Sequence, residues 1–158
     1  MKTYYITNGT SFSGKSTWAL KNFEKENIVE SDRHKYDPER TGGLTEYLVN
    51  LAIKCPGENV CIVQTNNSFE NFKQYKTMFE KYVPNQYKLI VANFELTLDE
   101  IKENRKESDR KKGNIKRADP YECYYKTFKN SLSKIKECNE WTCITVKREP
   151  NTIESFLE

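Results

Sequence analysis

Four residues near the start of the chain have the types and spacing needed to hold a phosphate. Gly9 is separated by four residues from Gly14, which Lys15 and Ser16 follow directly. Glycines let backbone N–H groups approach an anion closely, a lysine can reach the β- and γ-phosphates of ATP, and a serine hydroxyl can bind Mg²⁺. We therefore predict an ATP–Mg²⁺ site with Lys15 as a catalytic residue and Ser16 as the metal ligand. The predicted ATP-binding residues are Gly9, Thr10, Ser11, Phe12, Ser13, Gly14, Lys15, Ser16 and Thr17.

Two carboxylates, Glu30 and Asp32, close a short apolar segment that we interpret as the second strand. In open α/β sheets, ligands bind beyond the carboxyl ends of the strands. Asp32 should therefore face the same crevice as Lys15, where it can accept or orient the proton of an attacking hydroxyl. Arg33 and Lys35 follow closely and are predicted to bind the acceptor. The alternative interpretation is a solvated turn.

The stretch from Lys102 to Arg117 is strongly basic, with eight basic residues against three acids. Phosphoryl transfer spreads charge over the equatorial oxygens, and an arginine that arrives as a lid closes stabilises that charge. We predict a lid at about residues 102–118, with Arg110 as the catalytic arginine and Arg105 as the second lid arginine. The same cations can instead attract a phosphate backbone, and a solvated helix end is the alternative to both.

Strands that alternate with helices must position these groups. Buried apolar segments predict five strands, at residues 3–8, 27–32, 60–66, 87–95 and 141–146. Amphipathic or capped segments predict helices that start at Lys15 and at Thr97, and others over residues 44–54, 68–82 and 120–137. This alternation is typical of a parallel sheet with helices on both faces. We predict a single α/β domain over residues 1–158, built as a three-layer sandwich.

Composition narrows the class of protein. A chain of 158 residues with a net charge of +3 fits one domain and gives no general argument for nucleic acid. Because no apolar run could span a bilayer or serve as a signal core, we expect a cytoplasmic protein with no membrane partner. The five cysteines include no CxxC pair and His34 is the single histidine, which favours reduced thiols over zinc.

The glycine-rich segment is typical of P-loop nucleotide-binding proteins. The sequence lacks the NKxD of GTPases and the LSGGQ of ABC ATPases, which leaves the compact kinases. Four segments resemble the kinase domain of phage-type polynucleotide 5′-kinases, the third of them more weakly: "YYITNGTSFSGKSTWA", "NIVESDRHKY", "ENRKESDRKKGNIKRADP" and "VCIVQTNNSFENFKQYKTMFEKY". We predict a P-loop kinase sheet of five parallel strands ordered 2-3-1-4-5.

The resemblance also implies roles for individual residues. Asp32 would be the general base, and Lys35 would replace an arginine that holds the acceptor phosphate. The third segment would be the arginine-bearing lid that closes over the nucleotide. A virus- or phage-encoded protein is a further implication.

The chain departs from the family at the end of the third strand, where the family has Asp-Thr-Asn. Here the residues are Gln64, Thr65 and Asn66. An uncharged Gln64 would be a poorer partner for magnesium. Either Glu30 or Asp32 compensates, or waters hold the ion, or the chemistry is weak.

The sequence therefore predicts an ATP-dependent phosphotransferase with Mg²⁺ as its cofactor. The first acceptor hypothesis is the 5′-hydroxyl of a polynucleotide. The second is a nucleoside monophosphate or a modified nucleotide. A third hypothesis is a weakly active nucleotide-binding module, which Gln64 favours, whereas Asp32 beside an intact Lys15–Ser16 pair favours an enzyme.

Overall fold

The computed structural model describes residues 1–34, 37, 42–65, 68–111 and 121–148. Its strands are β1 (Lys2–Asn8), β2 (Ile28–Glu30), β3 (Asn59–Val63), β4 (Tyr87–Phe94) and β5 (Thr142–Val146). They form one sheet in the order β2-β3-β1-β4-β5, and every neighbouring pair is parallel. The predicted fold class and strand order are confirmed.

Helices follow the strands in the alternating order that the sequence predicts. They are α1 (Lys15–Asn22), α2 (Ser31–His34), α3 (Leu44–Lys54), α4 (Phe69–Tyr82), α5 (Leu98–Lys111) and α6 (Tyr121–Glu137). A single 3₁₀ turn, Lys25–Asn27, lies between α1 and β2. Within the described ranges, no helix combines the length and the apolar character needed to cross a membrane.

Both faces of the sheet are covered, because side chains alternate between faces along each strand. On one face, Tyr4 and Ile6 of β1 join a core with residues of α3, α4 and α6, including Leu48, Phe72, Phe79 and Ile135. On the other face, Tyr5 packs near Trp18 and Ala19 of α1. A neighbouring cluster brings in Phe94 of β4 and Ile101 of α5. The result is the predicted three-layer arrangement.

Helix α1 is shorter than the sequence suggests. The helical pattern that starts at Lys15 continues to residue 26, yet the helix ends at Asn22 and Phe23 is extended. The Phe23 ring lies 5.1 Å from the ring of Tyr5 and 5.6 Å from that of Trp18. This aromatic packing on the sheet turns the chain out of the helix, so tertiary contact overrides local propensity.

The second strand is also shorter than predicted, and this changes the setting of Asp32. β2 stops at Glu30, and Asp32 lies in the short helix α2. Arg33 Nε lies 3.0 Å from Glu30 Oε2, the three-residue spacing that one helical turn brings together. Asp32 is therefore presented by a helical turn at the carboxyl end of the sheet, directly after the strand rather than within it.

Candidate phosphate-transfer site

The predicted phosphate loop, residues 9–16, leads from β1 into α1 and leaves the start of that helix open. Gly14 has φ 89°, and no side chain of the described residues caps the N-terminus of α1. The first backbone N–H groups of a helix have no partner within the helix and carry the positive end of its dipole. An uncapped helix start after a tight loop is therefore a suitable place for a phosphate group.

Gly9 is required by close packing. A β-carbon at this position would lie 2.7 Å from Ser13 Oγ and 2.9 Å from the Phe94 β-carbon. Both distances are shorter than real β-carbon contacts. The first glycine of the motif therefore lets the loop pack against β4, while Gly14 supplies the left-handed turn into α1.

Lys15 is buried and bonded within the loop, at 6% exposure. Its Nζ donates to the Thr10 carbonyl oxygen and, at 3.3 Å, to Ser13 Oγ. Burial lowers the pKa of Lys15 to about 7, although the nearby negative charge of Asp32 acts in the opposite direction. A bound polyphosphate would add negative charge at the ammonium group and favour its protonated form.

This shift predicts how nucleotide affinity depends on pH. The pKa of Lys15 is lowered in the free protein and should rise beside bound phosphates. At a pH between these two pKa values, ATP binding is therefore accompanied by uptake of a proton. We expect ATP affinity to fall between about pH 7.5 and pH 9, by up to about tenfold per pH unit. Calorimetric titration with ATP, already fully ionised in this range, measures the effect.

The control for this pH dependence is Lys15→Met, because methionine has no proton to exchange. Its residual ATP affinity should be independent of pH over the same range. A parent protein whose ATP affinity does not change from neutral to alkaline pH would show that Lys15 does not titrate at the nucleotide.

Lys15, Ser16, Glu30 and Asp32 line one cavity of about 220 Å³ at the carboxyl end of the sheet. Glu30 reaches it from the end of β2 and Asp32 from α2, whereas the other two lie at the start of α1. The remaining lining residues are Ser11, Phe12, Gly14, Val63, Thr65 and Ser108. The structure thus brings together the predicted phosphate-binding lysine, the predicted metal ligand and the predicted base.

The oxygen atoms in this cavity fit a magnesium ion. Ser16 offers a hydroxyl, and Glu30 and Asp32 offer carboxylates, the hard ligands that Mg²⁺ prefers. Among the described residues, no group of three or more His, Cys, Asp and Glu side chains could hold a metal by itself. In nucleotide sites Mg²⁺ keeps several waters and takes its other ligands from phosphates.

The side chain of Gln64 does not line the cavity, although its neighbours Val63 and Thr65 do. Its Oε1 accepts a hydrogen bond from the Tyr75 hydroxyl, whose pKa is raised by burial. Thr7 Oγ1 accepts from the Gln64 N–H at 3.0 Å and donates to its carbonyl at 3.1 Å. Gln64 is therefore fixed toward α4, and its lack of charge does not remove a carboxylate from this cavity. Asn66 lies outside the described residues.

Neither predicted lid arginine lines the cavity. Arg110 has a side chain 66% exposed and is paired with Glu107. Arg105 is 7% exposed, and its Nε lies 3.1 Å from Asp109 Oδ2. Of the described part of α5, Ser108 is the residue that reaches the cavity, and Arg110 lies two positions further, on the opposite side of the helix.

The other predicted binding residues are placed less completely. The Arg33 side chain is 68% exposed and held by Glu30. Lys35, Lys112, Lys116 and Arg117 lie outside the described residues, as does all of the predicted lid after residue 111.

Sequence reasoning missed Asn104 and Ser108. The apolar stripe of α5 stops after Ile101, so the rest of the helix reads as solvated. In the structure Ile101, Asn104, Arg105 and Ser108 are all buried. Their spacing of three, four and seven residues marks one helical face, and that spacing of small or amide side chains is the signal that could have identified them.

Comparison with known proteins finds a shared fold. The chain resembles a solved structure described as a fungal RNA kinase, with a TM-score of 0.59 and 13% sequence identity. The similarity covers 98% of this chain and 80% of that one. No protein-family model and no curated protein sequence matches the chain. The class that fold and site define is thus an α/β protein that shares its fold with that kinase and carries a glycine-rich loop at the carboxyl end of its sheet.

Proposed function

We propose that the protein is a Mg²⁺- and ATP-dependent kinase that transfers the γ-phosphate to the 5′-hydroxyl of a polynucleotide. One observation carries the proposal. Lys15 and Ser16 from the phosphate loop and Glu30 and Asp32 from the neighbouring strand end line a single cavity. A cation for the phosphates and a carboxylate for the attacking hydroxyl are the two groups that such a transfer needs.

In the proposed reaction, Lys15 exchanges its bonds to the loop for bonds to the β- and γ-phosphates. Ser16, with Glu30 nearby, would hold the magnesium ion, which neutralises charge on the phosphates when bound. Asp32 accepts the proton of the 5′-hydroxyl as its oxygen bonds to the γ-phosphorus. The bond from that phosphorus to the β,γ-bridging oxygen breaks, and ADP leaves with the electron pair.

RNA is the preferred polynucleotide. A solved structure that shares this fold is described as a fungal RNA kinase, and 98% of this chain is covered by the similarity. Arg33, exposed beside Asp32, is suited to an acceptor phosphate because a guanidinium can bind phosphate through two N–H groups. In this proposal Glu30 orients Arg33 through the 3.0 Å contact until the acceptor arrives.

A nucleoside monophosphate or modified nucleotide is the second candidate acceptor. The observation that favours it is the pairing of surface lysines with acids. Lys73, Lys81 and Lys136 lie 2.6, 2.8 and 3.1 Å from Glu140, Glu46 and Glu95. These cations are already neutralised in the described part of the chain, so they add little to a polymer-binding groove.

Labelling with γ-³²P-ATP tests the proposal. The full chain is incubated with Mg²⁺ and matched RNA and DNA oligonucleotides carrying either a 5′-hydroxyl or a 5′-phosphate, and with nucleoside monophosphates. We expect label on the 5′-hydroxyl RNA and none on its 5′-phosphate counterpart. Label on monophosphates alone would support the second candidate. ATP binding without any transfer would contradict a kinase and favour a nucleotide-binding module.

The salt dependence of oligonucleotide binding distinguishes the two candidate acceptors without a measurement of turnover. A polynucleotide displaces counterions along its length, so its binding weakens steeply with salt. Changing Lys111, Lys112 and Lys116 to Ala should reduce the slope of log affinity against log salt by about two, since each contact to a single strand contributes about 0.7. Arg110→Ala, which removes one exposed cation paired with Glu107 outside the cavity, is the single-charge comparison.

Fluorescence anisotropy of a labelled oligonucleotide at several salt concentrations measures these slopes. The parent, the triple variant and Arg110→Ala are compared under the same conditions. A parent with no salt slope, or with no oligonucleotide binding, would remove the polymer hypothesis and leave the mononucleotide acceptor.

A further inference from the structure

Phe12, in the middle of the phosphate loop, has an unusual backbone. Its φ is 62°, in the left-handed region. Residues with a β-carbon avoid this region because the β-carbon approaches the backbone too closely. Such a conformation persists where the surrounding structure holds it. The loop therefore needs a partner that keeps Phe12 in place.

Asn104 of α5 is bonded to the backbone of that residue. The Asn104 side chain is completely buried, and its Nδ2 donates to the Phe12 carbonyl oxygen at 2.9 Å. The two residues are 92 positions apart, so this bond joins the phosphate loop to a distant helix. Burial of the amide makes the bond costly to lose, because a buried N–H donor would then be left unsatisfied.

Arg105, the next residue of α5, holds the side chain of Phe12. Its guanidinium carbon lies 5.7 Å from the centre of the Phe12 ring, within range of a cation–π contact. The pairing of Arg105 with Asp109 fixes the guanidinium. The Phe12 ring also packs against the core cluster that contains Leu96 and Ile101. Backbone and side chain of Phe12 are thus both held by α5.

We propose that α5 positions the phosphate loop and that Asn104 is a positioning residue for nucleotide binding; this rests on the proposed function. Ser108 lies one turn beyond Asn104 on the same buried face and lines the cavity. A shift of α5 therefore moves a wall of the cavity and releases Phe12 together. Nucleotide binding and the position of α5 are then coupled through Phe12 and Ser108.

Hydrogen exchange in the nucleotide-free protein tests the inference without any substrate. Asn104→Leu keeps the branched shape of the side chain and removes the donor. We expect amides of the loop, residues 9–16, to exchange about tenfold faster, a factor in the range of the penalty for a left-handed residue. Amides of β1 and β4 should be unchanged. If the loop amides of Asn104→Leu exchanged at the same rate as those of the parent protein, the proposal would be overturned.

The same variant predicts a split between binding and turnover. Its dissociation constant for ATP should rise about tenfold, whereas turnover at saturating ATP should stay within about twofold, because Asn104 acts through the loop. Asn50→Leu is the matched control. Asn50 Nδ2 makes the same kind of bond, to the Glu46 carbonyl at 3.1 Å on α3, and its loss should change neither quantity.

The decisive comparison measures the effect of Asn104→Leu in a protein that also carries Phe12→Gly. Glycine adopts positive φ without steric cost, so Asn104→Leu should cost about threefold or less in ATP affinity there. An undiminished tenfold cost would show that Asn104 does not act through Phe12. If Asn104→Leu does not fold, Asn104→Ala removes the same donor in a smaller side chain. A parent that does not bind ATP would refute the proposed function, while loop exchange would still decide the inference.

Discussion

Lys15→Ala should reduce phosphoryl transfer by at least about 10³-fold, the upper range for loss of one group that stabilises developing charge. Lys15 supplies the cation at the phosphate loop, and it lines the cavity together with Ser16, Glu30 and Asp32. Alanine cannot neutralise the transferring phosphate. Single-turnover labelling with γ-³²P-ATP measures the loss in the chemical step.

This substitution should not destabilise the folded protein. In the nucleotide-free protein Lys15 is buried with its pKa lowered to about 7, so at neutral pH its charged form is disfavoured by folding. Removing it should leave the melting temperature unchanged or slightly higher. Lys21→Ala, which removes an exposed lysine from the same helix, is the control. Activity of Lys15→Ala within tenfold of the parent would exclude Lys15 from the transfer.

Asp32→Asn should lower turnover by about 10²-fold or more, the usual effect of a lost general base. Asparagine keeps the size of the side chain and its exposed position on α2, but it cannot accept the proton of the attacking hydroxyl. ATP affinity should change little, because in the proposed reaction Asp32 acts on the attacking hydroxyl rather than on the nucleotide. Steady-state turnover and calorimetric ATP binding, measured on the same samples, separate the two effects.

Glu30→Gln is the informative companion to this variant. Glu30 lines the same cavity but is bonded to Arg33, so its loss should weaken Mg²⁺-dependent ATP binding or acceptor affinity more than turnover. If Asp32→Asn instead abolished ATP binding while the bound fraction still turned over normally, Asp32 would be a metal ligand or a structural residue.

The sheet and the phosphate loop can be predicted because local pattern and fold agree there. The apolar segments that become β1, β3 and β4 are unbroken, and parallel strands place their ends at one edge of the sheet. The sequence pattern is therefore enough to place Lys15 and Asp32 in one crevice. The strand order follows from the resemblance to compact kinases.

Orientation of single side chains cannot be predicted in the same way. Gln64 follows the alternation of β3, which sends it to Tyr75 on α4, whereas its neighbours face the cavity. A one-residue difference in register would reverse this outcome. The strand pattern alone does not fix where the register begins. From the sequence, an uncharged Gln64 is therefore interpreted as a missing carboxylate in the site.

The buried face of α5 escapes prediction for a different reason. Amphipathic helices are recognised by apolar residues, yet Asn104, Arg105 and Ser108 are buried by contacts with the phosphate loop and the cavity. Charge density favours Arg110 as the lid arginine, but its place on the helix puts it outside with Glu107. Burial of polar residues depends on partners that are distant in sequence.

The bond from Lys15 to the Thr10 carbonyl has a consequence for selectivity. Within the loop, the Thr10 carbonyl oxygen accepts the hydrogen bond from Lys15 that a phosphate oxygen would otherwise accept. An incoming anion must displace this oxygen, so chloride or inorganic phosphate gains little from binding to Lys15 alone. Under the proposed function, a triphosphate would contact Lys15, the start of α1 and Ser16 together, and these contacts would compensate for the lost bond to Thr10. We therefore expect the loop to bind polyphosphates in preference to single small anions.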